Sequence, residues 1–148
     1  MELVDEVRGQ RICIDTAPLI YFIEGHTRYH DIIRPLFVEI DSGNIEAITS
    51  TITLLEVLVH PLKTGNEALA EKYREILLSS EGLTTFEISH EVSEMASRLR
   101  AKYSMKTPDA MQIAVGALYG ATRFLTNDPD LRRVSEIKMV ILDDYFPK

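Results

Sequence analysis

Lys106-Thr107-Pro108-Asp109-Ala110-Met111-Gln112-Ile113-Ala114, followed by Arg123-Phe124-Leu125-Thr126-Asn127-Asp128, is the stretch on which the fold turns. Thr107 reads as an N-cap and Pro108 as the first helical residue, with Asp109 just behind it. Ala110, Ile113, Ala114 and Ala117 give that helix a small-residue face for close packing, and Gly120 closes it. Arg123 to Thr126 is then a strand, with Asn127-Asp128-Pro129-Asp130 as the turn beyond it. A helix that returns the chain to the start of a parallel strand runs antiparallel to that strand. Asp109 at the helix start and Asp128 at the strand end therefore belong at one edge of a sheet.

The preceding residues repeat this alternation. Arg11 to Ile14 is a short β-branched run ending at Asp15, and Thr16-Ala17-Pro18 reads as the cap and first turn of a helix from Leu19 to Glu24. Ile32, Ile33, Leu36, Phe37 and Ile40 fall at helical spacing and predict a helix from about His30 to Asp41. A strand at Ile45 to Thr49 follows, and a hydroxyl within Ser50 to Thr53 caps a helix expected to end near Pro61. Helices over Asn66 to Ser79 and Ser89 to Tyr103 flank a strand at Leu83 to Phe86, and a last strand covers about Lys138 to Leu142. Strands alternating with one or two helices predict an α/β fold. One domain over residues 1–148 is expected, with a mainly parallel sheet of about five strands and helices on both faces.

In such sheets, sites form beyond the carboxyl ends of the strands. Asp15 and Asp128 sit at strand ends, Asp109 at the start of a returning helix, and Glu56 in the early turns of the helix that leaves the second strand. Glu56 is also a lone carboxylate among Leu and Val, facing solvent or a polar pocket, because burying an unpaired charge is costly. Each acid has a local reading too: cap for Asp15, helix-dipole partner for Asp109, turn former for Asp128. Their expected convergence is what sets them apart. Four crowded carboxylates repel one another unless a cation holds them ionised, and an oxygen-only set suits Mg²⁺ or Mn²⁺ completed by water. Such a site activates water and neutralises charge on a phosphodiester, which makes phosphodiester hydrolysis the expected reaction. Asp130 is a second acid in the Asp128 turn, whereas Asp143-Asp144 follows an expected edge strand at the chain end.

Composition excludes several classes. The apolar share of 45% and charged share of 26% are those of ordinary globular chains. A lone cysteine, Cys13, inside Ile12-Cys13-Ile14 rules out a disulfide framework and fits a reducing compartment. The acidic start Met1-Glu2-Leu3-Val4-Asp5-Glu6 is unlike a signal peptide, and no apolar run reaches spanning length, so a cytoplasmic protein without membrane association is expected. A net charge of -7 argues against broad affinity for nucleic acid but not against an enzyme that acts on it. His26, His30, His60 and His90 are scattered, with no nucleophile beside them. There is no Gly-rich phosphate loop, and Asp15-Thr16-Ala17-Pro18 lacks the second aspartate of an aspartyl-phosphate phosphatase.

Four motifs, Ile14-Asp15-Thr16-Ala17-Pro18-Leu19-Ile20, Ser50-Thr51-Ile52-Thr53-Leu54-Leu55-Glu56-Val57, Thr107-Pro108-Asp109-Ala110 and Leu125-Thr126-Asn127-Asp128, occur in order over nearly the whole chain. In them the sequence resembles the PIN-domain ribonucleases, most closely the short VapC-type toxins of toxin-antitoxin pairs. The resemblance implies that Asp15, Glu56, Asp109 and Asp128 form an acidic quartet, with Asp15 and Asp109 the most direct Mg²⁺ or Mn²⁺ ligands. It places Thr16 and Thr126 where the family often has a supporting hydroxyl. It further implies an RNA substrate, a homodimer, and a small antitoxin whose C-terminal segment blocks the site.

Arg98, Arg100, Lys102 and Lys106, with Arg132 and Arg133, are the candidates for guiding RNA into an otherwise acidic protein. The alternative to a nuclease is a PIN-like module that binds RNA or protein without significant catalysis. A receiver-like signalling domain would also want a Lys at a later strand end, and no clear candidate is present.

Overall fold

The computed structural model describes residues 1–146. Five strands, β1 (Arg11–Ile14), β2 (Glu46–Ser50), β3 (Leu83–Phe86), β4 (Arg123–Thr126) and β5 (Lys138–Ile141), form one sheet in the order β3-β2-β1-β4-β5. All four pairings are parallel. β1 is central, with Ile12 opposite Ala47 on one side and Arg123 on the other. The chain fills the sheet on one side of β1 before crossing to the other, so the crevice between β1 and β4 is the point where strand order reverses.

The period-2 alternation of the strands splits the apolar side chains between two cores. Ile12, Ile14, Ala47, Leu125 and Val140 face a layer built from α1 (Leu3–Val7), α2 (Thr16–Ile23), α3 (His30–Asp41), α4 (Thr51–Thr64) and α5 (Glu67–Ser79). Cys13, Ile48 and Phe124 face α6 (His90–Tyr103) and α7 (Thr107–Leu118). The small-residue face of α7 forms with one change: Ala117 is only partly buried, and Gly116 makes the close contact instead. Ala110, Ile113, Ala114 and Gly116 are buried, and a Cβ at Gly116 would stand 3.0 Å from the Cβ of Cys13. That close approach lets α7 lie directly on β1 and carries its N-terminus to the carboxyl end of that strand. It also seals Cys13, whose thiol is fully buried, with Sγ 3.7 Å from the Gln112 carbonyl.

The α/β class, the five parallel strands and the helices on both faces agree with the sequence reading. Several boundaries move. α2 starts at Thr16 with Asp15 as its N-cap, because the Asp15 carboxylate accepts from the Thr16 amide at 2.8 Å. β2 runs one residue later than expected, and Ser50 ends it and caps α4. α4 does not end near Pro61 but passes through it to Thr64. Pro61 is buried, and the helix stops where Gly65 takes the left-handed conformation, φ 73°. The cap of α7 is extended Lys106, not Thr107, which places Thr107 and Pro108 in the first turn with Asp109. The short α1 had no counterpart in the sequence reading. It is tied down by Glu6, which pairs with Arg123 at 3.3 Å and Lys138 at 3.0 Å.

Candidate functional site

Asp15 leaves the end of β1 still held to β4, its amide donating to the Leu125 carbonyl at 2.9 Å. One carboxylate oxygen takes the Thr16 amide and the other takes the Thr126 hydroxyl at 2.8 Å. Thr126 in turn accepts the Asp128 amide at 3.2 Å, so one hydroxyl links the first acid to the turn bearing the fourth. Asp128 also caps the 3₁₀ turn Pro129–Arg133, accepting the Asp130 amide at 3.0 Å. Glu56 is exposed on α4, yet its Oε1 accepts the Thr16 hydroxyl at 2.9 Å, which draws it toward the α2 N-terminus. Asp109 lies half-buried in the first turn of α7.

Asp15 and Asp109 feel their surroundings. Burial raises the Asp15 carboxyl above the ordinary range, against the opposing pull of its Thr126 and Thr16 hydrogen bonds, and the Glu56 charge adds to the rise. Burial likewise raises Asp109, followed by the charges of Asp15 and Asp128, while Lys106 and Arg133 act the other way. Lys106 and Arg133 offset the rise at Asp109 only in part, and like charges crowd both raised carboxyls. Among the described residues no three His, Cys, Asp or Glu side chains are gathered closely enough to ligate one ion. The donors at this edge are all oxygens, which fits a hard cation with water completing its shell.

The other sequence candidates separate clearly. Asp130 is exposed beside the Asp128 turn. Asp143 accepts from the Tyr29 hydroxyl at 2.7 Å, and Asp144 is bound by Arg132 at 2.7 Å, so both are engaged outside the acidic group. Of the basic run, Arg98 pairs with Glu94, Lys102 with Glu136, and Arg100 donates to the Met105 carbonyl. Lys106 and Arg133 are the cations whose charge reaches Asp109. Arg133 also holds the Tyr103 carbonyl.

Sequence reasoning missed Gln112. It is 1% exposed, and its amide is bonded to Ser50 and Thr53 across the top of the sheet. The signal was present: a Gln three residues after Asp109 in a helix turn otherwise filled by Ala, Met and Ile is a buried polar group in search of partners.

Fold and site together define a parallel α/β protein with an acidic group at its topological switch point. The model of the PIN domain matches residues 12–137, and the chain belongs to that family. Comparison with curated protein sequences finds no match. Among solved structures, the chain is similar to VapBC2 from Rickettsia felis bound to a promoter DNA fragment. That match has a TM-score of 0.70 at 17% identity and covers 88% of this chain and 98% of that one. A toxin-antitoxin complex from Klebsiella pneumoniae gives 0.64 at 21% identity, covering 88% and 97%. VapC20 of Mycobacterium tuberculosis, described as a sarcin-ricin loop cleaving toxin, gives 0.68 at 18% identity, covering 86% and 98%. At these identities the likeness is one of fold.

Proposed function

We propose that residues 1–148 act as one PIN domain and form an endoribonuclease dependent on Mg²⁺ or Mn²⁺, the toxin of a toxin-antitoxin pair. The observation that carries this reading is the gathering of acids at the switch point of the sheet: Asp15 is tied through Thr16 to Glu56 and through Thr126 to the Asp128 turn, with Asp109 in the first turn of α7. Asp15 and Asp109 would hold the cation, with Glu56 and Asp128 orienting its water shell. The cation, when bound, supplies charge neutralisation on the phosphodiester and lowers the pKa of a water. Asp15 is fixed in place by Thr126 and the Thr16 amide, and Glu56, oriented by Thr16, would take a proton from the attacking water. Lys106 and Arg133 would face the RNA phosphates on the flank of Asp109.

The structures similar to this chain include a toxin-antitoxin complex, which supports a small antitoxin as partner. An exposed apolar stripe on α4, Leu55, Val59 and Leu62 at 62%, 55% and 48% exposure, supports a protein partner in the same way, whether antitoxin or second copy in a homodimer. No described helix is long and apolar enough to cross a membrane. A cytoplasmic site of action fits an RNA substrate.

The test is cleavage. Purified protein should cut RNA in Mg²⁺ or Mn²⁺ and not in chelator, and Asp15→Asn or Asp109→Asn should abolish cutting while the melting temperature stays near wild type. Unchanged cutting in both variants removes these acids from the mechanism. A second reading is a PIN module that binds RNA or protein without catalysis. RNA binding that survives Asp109→Asn, in a protein that never cleaves, would select it.

A further inference from the structure

The Gln112 amide is locked in one orientation by its partners. Ser50 Oγ accepts the Ile52 amide at 3.1 Å, so its own hydrogen is free to donate to Gln112 Oε1. Gln112 Nε2 therefore faces Thr53 and donates to Thr53 Oγ1. At the far end, a carboxylate can only accept, so the Thr16 hydroxyl gives its hydrogen to Glu56 Oε1 at 2.9 Å. Thr49 Oγ1 also donates to Thr53 Oγ1 at 3.0 Å, which leaves the Thr53 hydrogen for the contact between the Thr53 and Thr16 hydroxyls, 3.0 Å, so Thr53 donates to Thr16. Every hydrogen in the series points the same way: Gln112 to Thr53, Thr53 to Thr16, Thr16 to Glu56.

Neither end would be ordered without this series. Glu56 is exposed on a helix whose neighbouring residues Leu55 and Val59 are exposed too, and a solvated glutamate there loses rotamer freedom only where something holds it. Gln112 and Thr53 are buried to within 1% of complete, so their polar atoms depend on protein partners: Ser50 for the amide oxygen, and Gln112, Thr49 and Thr16 around the Thr53 hydroxyl.

We propose that Gln112 is the positioning residue of the acidic site: its buried amide, fixed by Ser50, sets the hydrogen-bond order of Thr53 and Thr16 and so holds Glu56 beside Asp15. This rests on the reading of the acids as a cation site. Gln112 touches neither substrate nor cation. It acts through Glu56, and its effect on cation binding must vanish when Glu56 cannot respond.

The experiment is a double-mutant cycle on the full chain with Mn²⁺ itself as probe, read by electron paramagnetic resonance, with melting in chelator as the check on folding. Gln112→Met, close in volume and without hydrogen-bonding ends, should weaken Mn²⁺ by roughly 10- to 100-fold, the range for groups that orient ligands. Glu56→Gln should do the same, and the double variant should be no weaker than Glu56→Gln alone. Thr53→Val, combined with Glu56→Gln in the same cycle, keeps the test open if Gln112→Met does not fold, and Thr53→Ser should restore binding to within about threefold of wild type. Additive losses in the cycle, wild-type Mn²⁺ affinity in Gln112→Met, or equal losses in Thr53→Ser and Thr53→Val would each overturn the positioning role alone. Wild-type protein that binds no Mn²⁺ would overturn the cation reading and this role with it.

Discussion

Asp15→Asn is the perturbation that separates a cation site from a cluster of acids with local duties. The wild-type carboxylate accepts the Thr16 amide and the Thr126 hydroxyl, both at 2.8 Å. Asparagine keeps the shape and one acceptor oxygen. With that oxygen toward the Thr16 amide, its NH₂ meets the Thr126 hydroxyl, which turns to accept, so α2 keeps its cap and the fold is retained. What is lost is one charge of the acidic group. In wild type, Mn²⁺ at 100 times its dissociation constant stabilises the fold by about 2.7 kcal/mol, which for a chain of this length raises the melting temperature by about 5–11 °C. In Asp15→Asn the rise should fall below about 2 °C, the scale of less than 1 kcal/mol. In chelator at neutral pH the variant should melt no lower than wild type, because it no longer carries a buried charge repelled by Glu56. Differential scanning fluorimetry over a Mn²⁺ titration reads all of this. Equal Mn²⁺ stabilisation in wild type and variant would refute the reasoning outright.

The remaining expectations concern pH, packing and substrate. Asp15 and Asp109 have folded pKa values raised above their unfolded ones, so their contribution to stability is fully present below about pH 4 and is lost as pH rises through the raised values. In chelator, the stability of wild type relative to the doubly substituted Asp15→Asn, Asp109→Asn chain should fall with rising pH in denaturant melts; a difference that rises with pH contradicts the burial argument. Gly116→Val places methyls where a Cβ alone would stand 3.0 Å from Cys13 Cβ and 3.3 Å from Ile137 Cδ1. It should cost about 1–3 kcal/mol and lift α7 from β1. Urea denaturation showing no loss would mean that this packing is slack. Replacing Lys106 and Arg133 by Ala should lower the slope of log RNA affinity against log salt by about 1.4, or roughly 0.7 for each single-strand phosphate no longer neutralised. Filter binding in chelator at several salt concentrations tests it, and an unchanged slope would remove both from the RNA path.

The sheet was legible because its strands are short apolar runs ending on polar residues, and β1, β3 and β4 have the bounds their sequence suggests. The placement of Asp15, Asp109 and Asp128 followed from that alternation alone, since strand ends and helix starts share an edge in a parallel sheet. Local boundaries were less readable where tertiary packing decides them. Pro61 looked like a stop, but its ring is buried and α4 continues to a glycine that can turn left-handed. α1 spans five residues, too few for a helical period to show, and it is held by ion pairs to β4 and β5 far along the chain. Gln112 was readable as a polar residue in an apolar helix turn, but its partners were not: Ser50 and Thr53 are 62 and 59 residues away, and no local pattern announces a contact across the sheet.

Cys13 offers a practical opening. It is the chain's one cysteine, shut between β1 and α7, and burial, with the Asp15 charge adding to it, pushes its thiol far above the range in which a reactive thiolate forms. Thiol-directed dyes and spin labels should pass the native protein by. A single cysteine introduced at the surface then becomes the sole attachment point, so distances from the acidic edge to RNA or to a bound partner can be measured without first altering the interior.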